Sequence, residues 1–180
     1  MRYLLPLLCF MLTAPLAAQD ATPTAQSEWL AKWENSRNYT LEALDLVPDS
    51  SLTFRPTAGQ MSIQEQAQHI AGNVFGLSRR YLGFEPADFD ENALRAQLSA
   101  ETMERAELVQ LLNEAYDFGV AAIKSLPEDK WDEPVPNFFA GPKSRRVIVY
   151  LLQDHATHHR AQLLVYLRLL NIQPPRYRGW

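Results

Sequence analysis

Apolar side chains recur every three or four residues over four stretches of this chain, and no alternation of useful strand length appears. The first stretch predicts a helix from about Glu28 to Leu46, with Leu30, Trp33, Leu41 and Leu44 on one face and Pro48 ending it. The second has a clean start. Ser62 with Glu65 three residues later makes an S-x-x-E capping box, and Ile63, Ala67, Ile70, Val74, Leu77 and Tyr81 follow as a stripe. An acidic connection from Phe84 to Asn92 leads to a third helix expected from about Ser99 to Leu126, stopped by Pro127. A proline-broken loop precedes the last helix, expected from about Arg145 to Leu170, and Pro174-Pro175 closes it. Four long helices without strands predict an all-α fold, a four-helix bundle. The connections exceed the roughly two to eight residues of simple bundles, so they are expected to cover one end and shape a pocket.

Composition narrows the function. The chain has 180 residues, 47% hydrophobic and 21% charged, with formal net charge -4, which fits one globular domain. No basic block or aromatic-interleaved cationic stripe occurs, which argues against nucleic acid and against a polybasic membrane surface. Residues 1–18 have the layout of a secretory signal: Arg2, an apolar run from Tyr3 to Leu12, then Ala17-Ala18. The expectation is an exported protein, periplasmic or secreted, with no stable membrane association after cleavage. Residues 19–27, small, polar and proline-containing, read as a flexible linker, and 28–180 as the folded domain. Cys9 is the single cysteine and would leave with the signal, which excludes disulfides, cysteine-ligated zinc and iron–sulfur clusters.

Three of the four histidines lie in "DHATHHRAQ", Asp154–Gln162. On a wheel of ~100° per residue, His155 and His159 lie about 40° apart, with Ile148, Leu151, Leu152, Gln162, Tyr166 and Leu170 near them. Arg160 and Arg168 are expected to face away, and His158 to sit at the stripe's edge. An unsatisfied buried imidazole costs on the order of 1–3 kcal/mol, so this pair needs partners. A metal ion suits the i, i+4 spacing, and buried hydrogen-bond acceptors serve equally on spacing alone. His69 lies on a polar, glycine-containing side of the second helix with Glu65, Asn73 and Gly76. A bundle can bring it against the last helix, giving three imidazoles around an open position. Other chemistries lack their motifs: no H-E-x-x-H, no pair of E-x-x-H, no C-x-x-C-H and no G-x-S-x-G. Glu65 is already explained by its cap. Asp154 is a candidate to orient a ligand histidine. The pocket is expected between the second and last helices, with Trp131, Phe138 or Phe139 approaching the histidines.

The stretches "FRPTAGQMSIQEQAQHIAGN" and "DHATHHRAQLLVYLRLLNIQPP" resemble the DinB-like (DinB/YfiT) superfamily, over about Leu41 to Pro175. The motifs are the histidine on the second helix and H-x-x-x-H-R-x-Q on the last. The resemblance implies a four-helix bundle holding one divalent metal ion through His69, His155 and His159, with His158 outside the ligand set. It implies Zn or Ni, with Fe or Mn as alternatives, and an open coordination position. Members include thiol-cofactor S-transferases, a thiol-dependent isomerase and metal-dependent hydrolases. Ala161 departs from the glycine often found after the arginine. The export signal also departs, since small thiol cofactors belong mainly to the cytoplasm. The expected function is an exported metal-dependent hydrolase or transferase acting on an unidentified small molecule, with a homodimer admitted. The alternatives are a non-catalytic or stress-associated metal-binding bundle and a plain bundle with buried histidines. Metal stabilisation is expected to fade as pH falls through about 6, where ordinary imidazoles protonate.

Overall fold

The computed structural model describes residues 22–179, so the signal segment and the start of the linker lie outside the described residues. Five helices occur there: α1 (Ala25–Asp45), α2 (Ile63–Leu82), α3 (Glu91–Leu98), α4 (Arg105–Ser125) and α5 (Arg145–Leu169). α1 starts earlier than its apolar periodicity suggests, because Thr24 and Ser27 form a reciprocal cap. Ala25, Gln26 and Ser27, read as linker, are therefore helical, and Gln26 Nε2 donates to the carbonyls of Ile123 and Leu126. α2 begins as expected at the Ser62–Glu65 capping box, and Gly83, at φ 77°, turns the chain out of it.

The third predicted helix is divided. Asp90 caps α3 inside the stretch read as an acidic connection, and a Glu104–Glu107 box starts α4 only at Arg105. Two buried glutamines of α2 explain the break. Gln64 and Gln68 donate to Ala100 O, Gln68 also to Gln97 O, and Met103 N–H donates to Gln64 Oε1. The turn between α3 and α4 thus satisfies its backbone groups on α2 instead of along a helix. The last loop carries a small antiparallel ladder, β1 (Pro134–Val135) with β2 (Lys143–Ser144), too short to leave a sequence signature.

α2 packs on α4 and α5, and α1 packs on the same two. The order around the bundle is therefore α1, α4, α2, α5, with α1 diagonal to α2 and α4 diagonal to α5. A diagonal step needs a longer link than a neighbouring one, which accounts for the extended connections at 46–62 and 126–144. No described helix is long and apolar enough to cross a membrane.

The core runs down the centre of the four long helices. Trp33 is fully buried, stacked on Trp29 at 4.9 Å, and donates from Nε1 to Tyr116 O at 3.0 Å. Its indole lies against Gly119, where a Cβ would stand 3.1 Å from the ring. Gly119→Ala should therefore destabilise the protein by about 1–3 kcal/mol through overpacking, outweighing the ~1 kcal/mol that alanine gains as a helix former. Urea unfolding measures the sign. A stabilised variant would show that Trp33 has room to shift.

Candidate metal centre

α2 and α5 face each other in the bundle, and their contact brings His69 of α2 against His155 and His159 of α5. His69 Nε2 and His155 Nε2 stand 3.2 Å apart. The ring centroids are 4.9 Å apart for His69–His155 and 4.4 Å apart for both His69–His159 and His155–His159. One ring nitrogen from each of the three lies within 4.8 Å of the others, a group that could hold a metal ion. His155 and His159 are thus core-facing, as their spacing predicts. His158 is excluded from the group: it is exposed, and its ring meets His159 edge-on at 4.9 Å.

All three rings are held neutral. Burial lowers the pKa of His69, with a further push from nearby His158. Burial brings His155 down to about 4, aided by His69 and His158, and His159 down to about 3, aided by His155, His69 and His158. No carboxylate joins the cluster among the described residues. Three neutral imidazoles are ready as ligands without first losing a proton, so the donor set fits a divalent cation.

One hydrogen-bond chain fixes which nitrogen His159 presents. Tyr166 donates to Met61 O at 3.1 Å, so its oxygen accepts from Gln66 Nε2 at 3.3 Å. Gln66 Nε2 also donates to Gln162 Oε1 at 2.5 Å. That leaves Gln66 Oε1 to accept from His159 Nδ1–H at 2.6 Å. His159 is therefore protonated on Nδ1, and its Nε2 lone pair is free. The chain continues outward, with Gln162 Nε2 donating to His158 Nε2 at 2.8 Å.

The side chain that bonds a histidine of the cluster is Gln66, not Asp154. Asp154 is exposed and lines a separate cleft with Trp29 and Tyr150. Gln66, 1% exposed, was legible only as one of three glutamines spaced by two in a segment that had to be buried. Glu65 is occupied: Oε2 accepts from Ser62 N–H at 2.6 Å and Oε1 from Arg55 at 3.0 Å, and these bonds hold its carboxyl below the ordinary range. Arg160 corrects the wheel. It does not face solvent but is 4% exposed, donating to Ser36 Oγ at 2.6 Å and Thr157 Oγ1 at 3.1 Å, with its guanidinium 5.1 Å from the Tyr39 ring. α1 covers that side of α5, so the helix is buried on two faces.

Two clefts open at His69. One, of roughly 500 Å³, is walled by Arg55 and Gln60 of the first long connection, by Glu65 and Gln68, and by Leu98 of α3. The other, of roughly 300 Å³, carries Phe139 from the second long connection. Of the three aromatics expected near the histidines, Phe139 shares a cleft with His69. Trp131 and Phe138 are core residues, Phe138 packing on Tyr81 at 5.0 Å.

Comparison with known proteins agrees with this architecture. The chain is similar to a DinB-like protein from Bacillus cereus (20% identity, TM-score 0.67), covering 83% of this chain and 95% of that one. It is similar to the DinB-like YjoA from Bacillus subtilis (20%, TM-score 0.63; 84% and 97%). It is also similar to YfiT from Bacillus subtilis (16%, TM-score 0.62; 87% and 95%), described as "a probable metal-dependent hydrolase with an unusual four-helix bundle topology". No curated protein matches the sequence. A match to the DinB superfamily runs over residues 32–163, from within α1 into α5 and past all four histidines, and the chain belongs to that family.

Proposed function

We propose that His69, His155 and His159 hold one divalent metal ion and that the protein is a metal-dependent hydrolase. It acts after export, in the periplasm or outside the cell, on a small-molecule ester or amide. The observation that carries this is the convergence of three neutral imidazoles, one with its lone pair aimed by Gln66, beside an open cleft. Imidazole donors suit Zn and Ni, with Fe or Mn as alternatives. When bound, such a metal supplies a Lewis acid that polarises a carbonyl and lowers the pKa of coordinated water towards ~7. The described residues do the rest. Gln66 sets the His159 tautomer, α2 and α5 fix the rings on rigid elements, and Leu98 and Met61 shield the cleft. The description of YfiT as a probable metal-dependent hydrolase supports the reading. The engagement of Glu65 with Arg55 and Ser62 favours one alternative, a bundle that binds metal without catalysis.

The test is elemental analysis of protein purified without a histidine tag, followed by an ester and amide panel with and without chelator. One metal per chain and chelator-sensitive hydrolysis are expected. Metal without turnover on any substrate gives the non-catalytic bundle, and no metal removes both readings. Gln66→Leu keeps the side-chain bulk and removes the acceptor of His159 Nδ1–H. It should weaken metal affinity by roughly 10–100-fold, measured by competition with a chelating dye. Unchanged affinity would strip Gln66 of the orienting role.

A further inference from the structure

Gly76 stands in the middle of α2 with ordinary helical backbone, where glycine is the poorest helix former after proline. Gly72, one turn earlier, has a packing reason: a Cβ there would lie 3.2 Å from Leu98 Cδ1, so the approach of α3 needs it. A Cβ at Gly76 would meet nothing within 4 Å. The fold therefore does not require this glycine. What the position does is floor the smaller cleft beside His69, with Asn73, Arg80, Tyr81 and Phe139 around it.

The aromatic neighbours are packed, Tyr81 and Phe139 both on Phe138, and the Arg80 guanidinium lies 6.0 Å from the Tyr81 ring, but two polar groups are left without partners. Asn73 lies one turn from His69, and its Oδ1 is buried without a hydrogen bond. An unpaired buried acceptor is costly, and the broad χ2 of asparagine lets a small turn offer this oxygen to the cleft. Arg80 is exposed and forms no ion pair among the described residues, whereas neighbouring Arg79 holds Glu85 and Glu91. Phe139 rests on Phe138, with ring centroids 4.3 Å apart, and is still 75% exposed. Asn73 calls for an N–H and Arg80 for an anion, and the open face of Phe139 offers a flat apolar wall beside them. At ~1.5 Å rise per residue, the Cα atoms of His69 and Arg80 lie roughly 16 Å apart along the helix, and the arginine leans back towards the N-terminal end.

We propose that this cleft is the far subsite of the centre and selects an elongated, carboxylate-bearing amide. The reacting end lies at the histidines, the body on the bare helix at Gly76, an N–H on Asn73 Oδ1 and the carboxylate on Arg80. The assignment of the reacting end rests on the hydrolase reading; the binding does not.

The probes are N-benzoylglycylglycine and its C-terminal amide, titrated calorimetrically into the full chain as purified. The carboxylate probe should bind at least tenfold more tightly than the amide, and Arg80→Ala should abolish that difference. Gly76→Ala should raise Tm by about 2–4 °C as a helix gains a better former, yet weaken the carboxylate probe at least tenfold. A purely structural glycine would not move stability and affinity in opposite directions. Metal content should be unchanged in both variants. Equal affinity for the two probes, no binding of the carboxylate up to millimolar concentration, or a Gly76→Ala protein that binds like the native one overturns the subsite. A chain that holds no metal yet shows these differences sinks the hydrolase reading alone.

Discussion

His159→Ala should take the protein from one bound metal per chain to none detectable after dialysis, while His158→Ala should keep its metal. The two residues are adjacent in sequence and differ in what they face. His159 is 7% exposed, and the bond from its Nδ1 to Gln66 leaves Nε2 as the nitrogen it can give to the three-ring cluster. His158 is exposed and outermost in the chain of bonds running through Gln162 to Gln66. Losing His159 removes one of three donors, so the loss should exceed the ~10–100-fold typical of an outer partner. Losing His158 disturbs only the far end of the chain and should cost at most ~10-fold. His69→Ala and His155→Ala should behave like His159→Ala, because each contributes one nitrogen to the same group. Metal stoichiometry and Tm with and without chelator measure all four. A metal-free His158→Ala beside a metal-loaded His159→Ala would mean that α5 presents a different register.

Local periodicity made legible which way these histidines face, while the ligand set that leaves out His158 came from the family resemblance. His155 and His159 fall within one apolar stripe, and S-x-x-E announces the start of α2. What periodicity could not show was whatever depends on a second helix. Arg160 looks like a surface residue on a one-stripe wheel, but α1 covers that side of α5 and supplies Ser36 and Tyr39 as its partners. Gln66 looks like an ordinary polar position until Tyr166 and Gln162 of α5 fix its amide. The break between α3 and α4 has the same origin, since Gln64 and Gln68 bond a turn 29 to 36 positions later. Where a side chain's partner lies on the same helix the sequence sufficed, and where the partner came from across the bundle it did not.

Metal should remain bound at about pH 5.5, well below the point where ordinary imidazoles would release it, and should leave only as the pH approaches 4. Spacing alone suggested release through about pH 6. The structure moves that point down, because burial holds His155 near 4 and His159 near 3 against an ordinary 6.5. The same shifts set the sign for the metal-free protein. Between about 6.5 and those depressed values the unfolded chain binds protons that the folded chain refuses, so stability rises with pH in that window. The histidine contribution is fully present above about 6.5 and is lost progressively as pH falls through 4 towards 3. Metal adds to it, since it binds the native state preferentially and only through neutral rings. Melting curves at intervals from pH 7 to pH 4, on loaded and metal-free protein, should therefore show two results. The metal-free Tm should decline steadily on acidification. The gap between loaded and metal-free protein should persist at about pH 5.5 and close near 4. The variant with all three ligand histidines replaced by Ala should lose the gap at every pH and show a flatter acid limb. Release of metal with a midpoint at 6.5, the value of a solvated imidazole, would mean that the three rings stand open to water and that the cluster does not form as a buried unit.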